Sequence, residues 1–174
     1  APSFCMFMQG EFPSSIYTFS KHFYIKKNTH LTMDIVYKEI ESEQEFNDAI
    51  GLRREVFIKE QSFRPGWEPD EKDKEASQFI GIKQGKIVAT ARVLEESPKT
   101  FKIGRMVTKK EVRNNGVGSG LMKFILEQTN KQAPKKIWLQ SQVQSQPFYE
   151  KVGFKPISKP YDLWGVPHID MELQ

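Results

Sequence analysis

The chain has a single cysteine, Cys5, among its 174 residues. No internal disulfide can form, and the paired cysteines of a structural zinc site are missing. Histidine is almost as scarce. His22, His30 and His168 are too scattered to suggest a metal site by spacing, and no metal is expected. No apolar run approaches the roughly eighteen residues that a membrane-spanning helix needs. The uncharged stretch Ala1 to Gly10 lacks the basic start of a secretion signal. The expectation is a soluble, cytoplasmic protein with no membrane partner. A block of one charge is also missing: the formal net charge is +4 and the basic residues are spread along the chain, so no nucleic-acid partner is expected.

What is present fits one domain with a proper core. The leader carries Phe4, Phe7, Phe12, Tyr17, Phe19, Phe23 and Tyr24 without a regular period and with few charges. It reads as an N-terminal extension, residues 1–33, that need not be native to the domain. The expected domain runs over 34–174.

Within that domain, apolar positions alternate between strand and helix periods. Asp34 to Ile40 predicts a strand. Ser42 with Glu45 is a capping-box signal ahead of a helical run through Phe46, Ile50, Val56 and Phe57. Glu60 to Glu75, interrupted by Pro65, Gly66 and Pro69, predicts a long loop. Its acidic part, Glu68 to Glu75, reads as a solvated face somewhat ahead of a surface that attracts a cationic amine. Gln78 to Leu94 predicts a hairpin turning at Gln84-Gly85, with Arg92 in a buried ion pair. A strand over Thr100 to Thr108, a helix over Gly118 to Asn130 and a short strand over Lys136 to Leu139 follow. Pro147, Lys151 and Gly153 frame a short helix, and strands over Phe154 to Ile157 and Ile169 to Leu173 close the order. The predicted class is mixed α/β in one domain.

The most informative stretch is Arg113-Asn114-Asn115-Gly116-Val117-Gly118-Ser119-Gly120, between a strand and an amphipathic helix. Glycines allow close backbone approach, and the first N–H groups of a helix lack internal partners and attract phosphate. Two familiar nucleotide motifs fail here. A dinucleotide fingerprint needs glycine where Leu121 stands, and a P-loop needs Gly-Lys-Ser/Thr where Leu121-Met122-Lys123 stand. A turn serving backbone geometry alone would leave three glycines unused beside a helix that each disfavours by about 1 kcal/mol.

Arg113, Gly116 and Gly118 do resemble the coenzyme A pyrophosphate signature of the GNAT superfamily of N-acetyltransferases. The resemblance spans Asp34 to Leu173. It is strongest to the small bacterial ElaA-like and YjcF-like acyltransferases, through Arg54-Glu55-Val56-Phe57 leading to Glu60-Gln61, Ile103 to Val107, Phe148 to Phe154, and Gly165 to Ile169 with Met171. It implies a central mixed, mostly antiparallel sheet, splayed at the cofactor strand and flanked by helices. It implies acetyl-CoA as acyl donor, with coenzyme A as product, and a small-molecule or peptide amine as acceptor. Many members dimerise, which implies a homodimer without requiring one.

By the same resemblance, Met106, Val107 and Thr108 would meet the pantetheine arm, and Arg113, Asn114, Asn115, Gly116, Val117, Gly118, Ser119 and Gly120 the pyrophosphate. Gln142 stands where the family commonly carries an asparagine that contacts the cofactor arm. Tyr149 would be the catalytic acid that protonates the leaving thiolate, against the alternative of simple packing. Glu60, Gln61, Arg105 and His168 are the acceptor-side candidates. Glu60, Asp70, Asp73 and His168 are all open as general base, as is a base acting through water. A coenzyme A-binding sensor without turnover, or an interaction domain with a vestigial loop, are the competing classes. The sensor would part from the enzyme at Tyr149 and at the acceptor pocket, and the interaction domain by failing to bind any acyl-CoA.

Overall fold

The structure is a computed structural model and describes residues 24–26 and 34–174. The expectations for the other leader residues lie outside the described residues. Among the described residues, nine strands form one sheet: β1 (Tyr24–Lys26), β2 (Ile35–Glu39), β3 (Ser77–Lys83), β4 (Lys86–Ser97), β5 (Thr100–Thr108), β6 (Lys136–Gln142), β7 (Phe154–Pro156), β8 (Tyr161–Leu163) and β9 (Val166–Leu173). Their spatial order is β1-β2-β3-β4-β5-β6-β9-β7, with β8 beside β9. Only β5 and β6 run parallel. Three helices flank the sheet: α1 (Glu43–Arg54), α2 (Val117–Asn130) and α3 (Gln146–Lys151). This is the mixed α/β class read from the sequence, with the mostly antiparallel sheet that the family resemblance implies.

Side-chain alternation assigns the two faces. Ala89, Ala91 and Val93 of β4, Phe101 and Ile103 of β5, and Ile137 and Leu139 of β6 join the main core beneath Leu121, Met122 and Ile125 of α2. Arg92 and Leu94, Lys102 and Gly104, and Gln140 line a cavity on the other side. There α1 packs on β4 and the start of the loop that follows it, leaving the β5–β6–β9 part of that face open for a site.

The Ser42 cap forms as predicted on one side only. Ser42 Oγ accepts from the Glu45 N–H at 3.2 Å, but Glu45 reaches back to the Glu41 N–H at 2.9 Å and to Lys38, not to Ser42. The predicted helix extends further than its α-helical part: a π-helical turn, Glu55–Glu60, follows α1 and carries Glu60 and Gln61 to the edge of the site. Such turns concentrate at functional sites. Strand β8 is absent from the sequence reading, being three residues long and polar at Asp162.

Gly120 is fixed by packing. A Cβ built there would lie 2.2 Å from the Tyr37 hydroxyl, which donates to the Val117 carbonyl at 3.0 Å and ties β2 to the first turn of α2. Gly120→Ala is expected to cost about 1–3 kcal/mol by overpacking. Gly51→Ala, on an exposed helical turn where the added Cβ meets nothing, is expected to stabilise by up to about 1 kcal/mol. Urea unfolding of the two variants side by side checks the opposite signs.

Candidate active site

The parallel ladder between β5 and β6 runs only from Thr100↔Lys136 to Ile103↔Leu139. Beyond it β5 continues to Thr108 paired with β4, and β6 continues to Gln142 paired with β9. The two strands part, and among the described residues the β6 side of Met106, Val107 and Thr108 has no partner strand. A β-bulge starts the divergence. Arg105 and Met106 together stand opposite Ala91, and Arg105 takes φ +53°, a conformation uncommon outside glycine.

The splay opens onto a cavity of about 650 Å³. Met106, Val107, Thr108, Arg113, Asn114, Gly116, Gly118 and Ser119, all candidate cofactor contacts by the family resemblance, line it together with Tyr149, the candidate acid. Gly116, at φ +75°, starts α2 without any side-chain cap, so the first N–H groups of the helix are left for a ligand. Arg113 stands beside them; its Nε donates to the Thr108 carbonyl at 2.8 Å and its Nη2 pairs with Glu60 at 2.8 Å.

Other predicted residues are elsewhere. Val117 is buried in the core and Gly120 is packed under Tyr37. Asn115 folds back on the loop, donating to the Arg113 carbonyl at 3.1 Å. Gln142 donates to Gln61 Oε1 at 2.9 Å and accepts from Gln144 at 2.7 Å, an amide chain beside the splay. Gln144, Ser145, Phe148 and Lys151 line the cavity without having been predicted. Phe148, half-buried, is a cavity wall next to Gly118, its ring 3.5 Å from where a Cβ there would lie.

Tyr149 is half-buried, with Phe148 edge-on at 5.0 Å and Phe154 at 6.2 Å between ring centroids. Burial pushes its phenol up to about 12. The hydroxyl therefore keeps its proton throughout the neutral range, as an acid awaiting a thiolate must.

On the other side of β5, a cavity of about 280 Å³ is lined by Arg105 and His168 together with Trp67, Lys72, Lys102 and Trp164. Glu60 and Gln61 do not line it; their partners, Arg113 and Gln142, tie them to the cofactor side. His168 is 8% exposed, and its Nδ1 lies 2.8 Å from the Val166 carbonyl. A carbonyl only accepts, so Nδ1 carries the proton and Nε2 has the lone pair when the ring is neutral.

The acidic stretch is solvated only in part: Glu71 and Glu75 are exposed, but its other carboxylates are not. Glu68, Asp70 and Asp73 turn inward and meet Arg53, Arg92 and Arg105, three carboxylates against three guanidiniums. Arg53 forks onto Asp73 at 2.7 and 2.9 Å, Arg105 reaches Glu68 at 2.5 Å and Asp70 at 2.8 Å, and Arg92 joins Asp70 to Asp73. The buried ion pair expected of Arg92 is thus part of a larger network. Burial opposes the charge of Asp70 and Asp73, yet the guanidiniums hold both carboxyls below the usual carboxylate range. Burial prevails at Glu68 and pushes its carboxyl up, against Arg53 and Arg105. Asp70 and Asp73, locked in ion pairs, are poorly suited to take a proton from an amine. Sequence reasoning missed this network because Arg53 is 20 residues from Asp73 and Arg105 is 35 from Asp70.

This fold is that of the GNAT acyltransferases. The profile described as Acetyltransferase (GNAT) domain matches residues 34–174, and the chain belongs to that family. A UPF0039 protein of Schizosaccharomyces pombe is 38% identical over 148 residues, covering 82% of this chain and 97% of that protein. ElaA of Escherichia coli is 32% identical over 124 residues, covering 69% of this chain and 81% of ElaA. The crystal structure of ElaA matches with a TM-score of 0.73 over 80% of this chain and 99% of its own. An aminoglycoside 6'-N-acetyltransferase solved with coenzyme A has the same fold, at TM-score 0.65 and 15% identity over 78% of this chain and 94% of its own. Among the described residues, no helix is long and apolar enough to cross a membrane.

Proposed function

We propose that the protein transfers an acetyl group from acetyl-CoA to an amine by direct attack. The observation that carries this reading is the parting of β5 from β6 after Ile103 and Leu139, onto a cavity bounded by the uncapped start of α2 and by Tyr149. The cavity's residues fit acetyl-CoA: the free β6 side of Met106 to Thr108 suits an extended amide-bearing arm, and the N–H groups at Gly116–Ser119 with Arg113 suit a pyrophosphate. The coenzyme A complex of an aminoglycoside acetyltransferase with this fold supports the same choice.

Bound acetyl-CoA would supply a thioester carbonyl for the amine to attack and a thiolate to leave. Tyr149 holds the proton that the thiolate takes. A backbone N–H near Met106 or Val107 is our choice for the group facing the oxyanion. His168, lining the acceptor cavity with Nε2 free to accept when neutral, is our choice of general base; Glu60 is engaged by Arg113. A cytoplasmic location, where acetyl-CoA is made and used, goes with this reading.

The test is thiol release from acetyl-CoA in the presence of a panel of primary amines, with the acetylated amine measured by mass spectrometry. One acetylated amine per thiol is expected. Thiol release without an acetylated amine, or none at all from folded protein, would contradict the proposal. Gly118→Trp places an indole where a Cβ alone already sits 3.3 Å from Thr108 Oγ1. Turnover in that variant should fall to the uncatalysed level.

A further inference from the structure

The acceptor-side cavity holds more positive charge than its carboxylates can match. Two of its lining cations, Arg92 and Arg105, belong to the balanced network with Glu68, Asp70 and Asp73. Two ammonium groups remain, those of Lys72 and Lys102. Lys72 is exposed, and its side chain makes no hydrogen bond or ion pair among the described residues. Lys102 donates to Gln140 Oε1 at 2.8 Å and lies 4.4 Å from the centroid of the Trp138 ring. Its nearest carboxylate, Glu96, is 3.7 Å away and does not line the cavity. Burial pushes the Lys102 ammonium below its usual value; Glu96 pulls the other way, and the charge of Lys72 adds to the lowering. A second anion would relieve both effects.

The cavity has an aromatic side as well. Trp67 and Trp164 meet edge to face at 5.2 Å, with the Arg105 guanidinium 4.5 Å from the centre of the Trp67 ring. Trp164 is 70% exposed at the tip of the β8–β9 hairpin. Large apolar side chains held in the open beside a polar pocket mark contact surfaces.

We infer that the acceptor is an amine that also carries an anionic group, a carboxylate or a phosphate, held by Lys72 and Lys102, with an apolar body against Trp67 and Trp164. The inference rests on the acyltransferase reading above and adds the substrate class to it. In the transfer the amine nitrogen bonds to the acyl carbon, the C–S bond breaks, and the nitrogen loses one proton. The sulfur leaves as a thiol, and the anionic group is unchanged. A polycationic acceptor would meet the ammonium groups of Lys72 and Lys102, the latter only partly offset by Glu96 at 3.7 Å, and is disfavoured by the same charges.

The experiment uses matched trios of primary amines of one length and apolar body, bearing a carboxylate, its neutral amide or a phosphate monoester. The kcat/KM of each is measured with the full chain at saturating acetyl-CoA, and acetyl-CoA binding is measured separately by calorimetry. At least one anionic member should exceed its amide by about tenfold or more, the worth of a charge-assisted contact. Whether carboxylate or phosphate leads identifies the source of the anion. In Lys72→Ala, an exposed change that leaves the fold intact, and in Lys72→Ala/Lys102→Gln, this preference should shrink stepwise. The anion-to-amide ratio of kcat/KM is the readout, so any loss with the amide should be smaller than that with the anion, and the acetyl-CoA affinity should be unchanged. Equal use of amide and anion, acetylation of neutral or cationic amines alone, or no acceptance of any anionic member would overturn the inference. Failure to bind acetyl-CoA would instead overturn the reading beneath it.

Discussion

Tyr149→Phe is expected to lower kcat by about 10²–10⁴-fold, the usual worth of a positioned general acid. The change removes one oxygen and leaves the ring between Phe148 and Phe154. No hydrogen bond joins the hydroxyl to another described residue, so its loss should not disturb the fold. KM should move far less than kcat, since the interaction matters only as the thiolate forms. The pH profile gives a second reading. With the phenol pushed up to about 12, Tyr149 stays protonated through the range in which amines lose their protons. The wild-type kcat/KM should therefore rise with pH and show no falling limb attributable to Tyr149 below about pH 10, the ordinary tyrosine value. A Tyr149→Phe enzyme with near wild-type kcat would reduce the tyrosine to packing.

Asp73→Asn is expected to destabilise the protein by about 3–5 kcal/mol, because it leaves Arg53 and Arg92 facing a buried site short of one negative charge. The side chain keeps its size, so the loss is one of charge. Arg53 is fully buried and forks onto both Asp73 oxygens, while Gln78 donates to Oδ1 at 3.0 Å. The sign of the pH dependence follows from the depressed carboxyl. Asp73 contributes its stability above the unfolded aspartate value, about 3.9, and loses it as pH falls below that. Asp70 acts in the same direction, and Glu68, whose carboxyl is pushed up, acts in the opposite one. Two against one predicts an acid-labile fold. Urea midpoints at pH 7 should drop strongly in the variant, and its stability should vary less between pH 7 and pH 3 than that of the wild type.

Much of the cofactor side was legible in the sequence because it is local. Arg113, Gly116, Gly118 and the amphipathic face of α2 follow one another along the chain, so a glycine-rich helix start suited to phosphate can be read locally, and the family resemblance adds the cofactor. The acceptor side was mostly illegible because it is built from distant segments. Trp67 comes from the loop after α1, Lys102 from β5, Gln140 from β6 and Trp164 from the β8–β9 turn. Strand alternation does place Lys102 and Gln140 on the face away from the core, but a single sequence does not reveal that this face stays open. The acidic run misled for a similar reason. Glu68, Asp70 and Asp73 look solvated among lysines, and only the fold brings guanidiniums to them: Arg92 and Arg105 from the antiparallel β4–β5 ladder with its bulge, and Arg53 from α1. Gly120 reads as part of a phosphate loop until Tyr37 appears above it.

The central claim is that the gap between β5 and β6, with the start of α2, is an acyl-CoA site. Calorimetric titration of the full chain with acetyl-CoA tests it most directly. The account predicts saturable one-to-one binding in the micromolar range, with free coenzyme A competing for the same site. A folded protein that takes up neither ligand would contradict it.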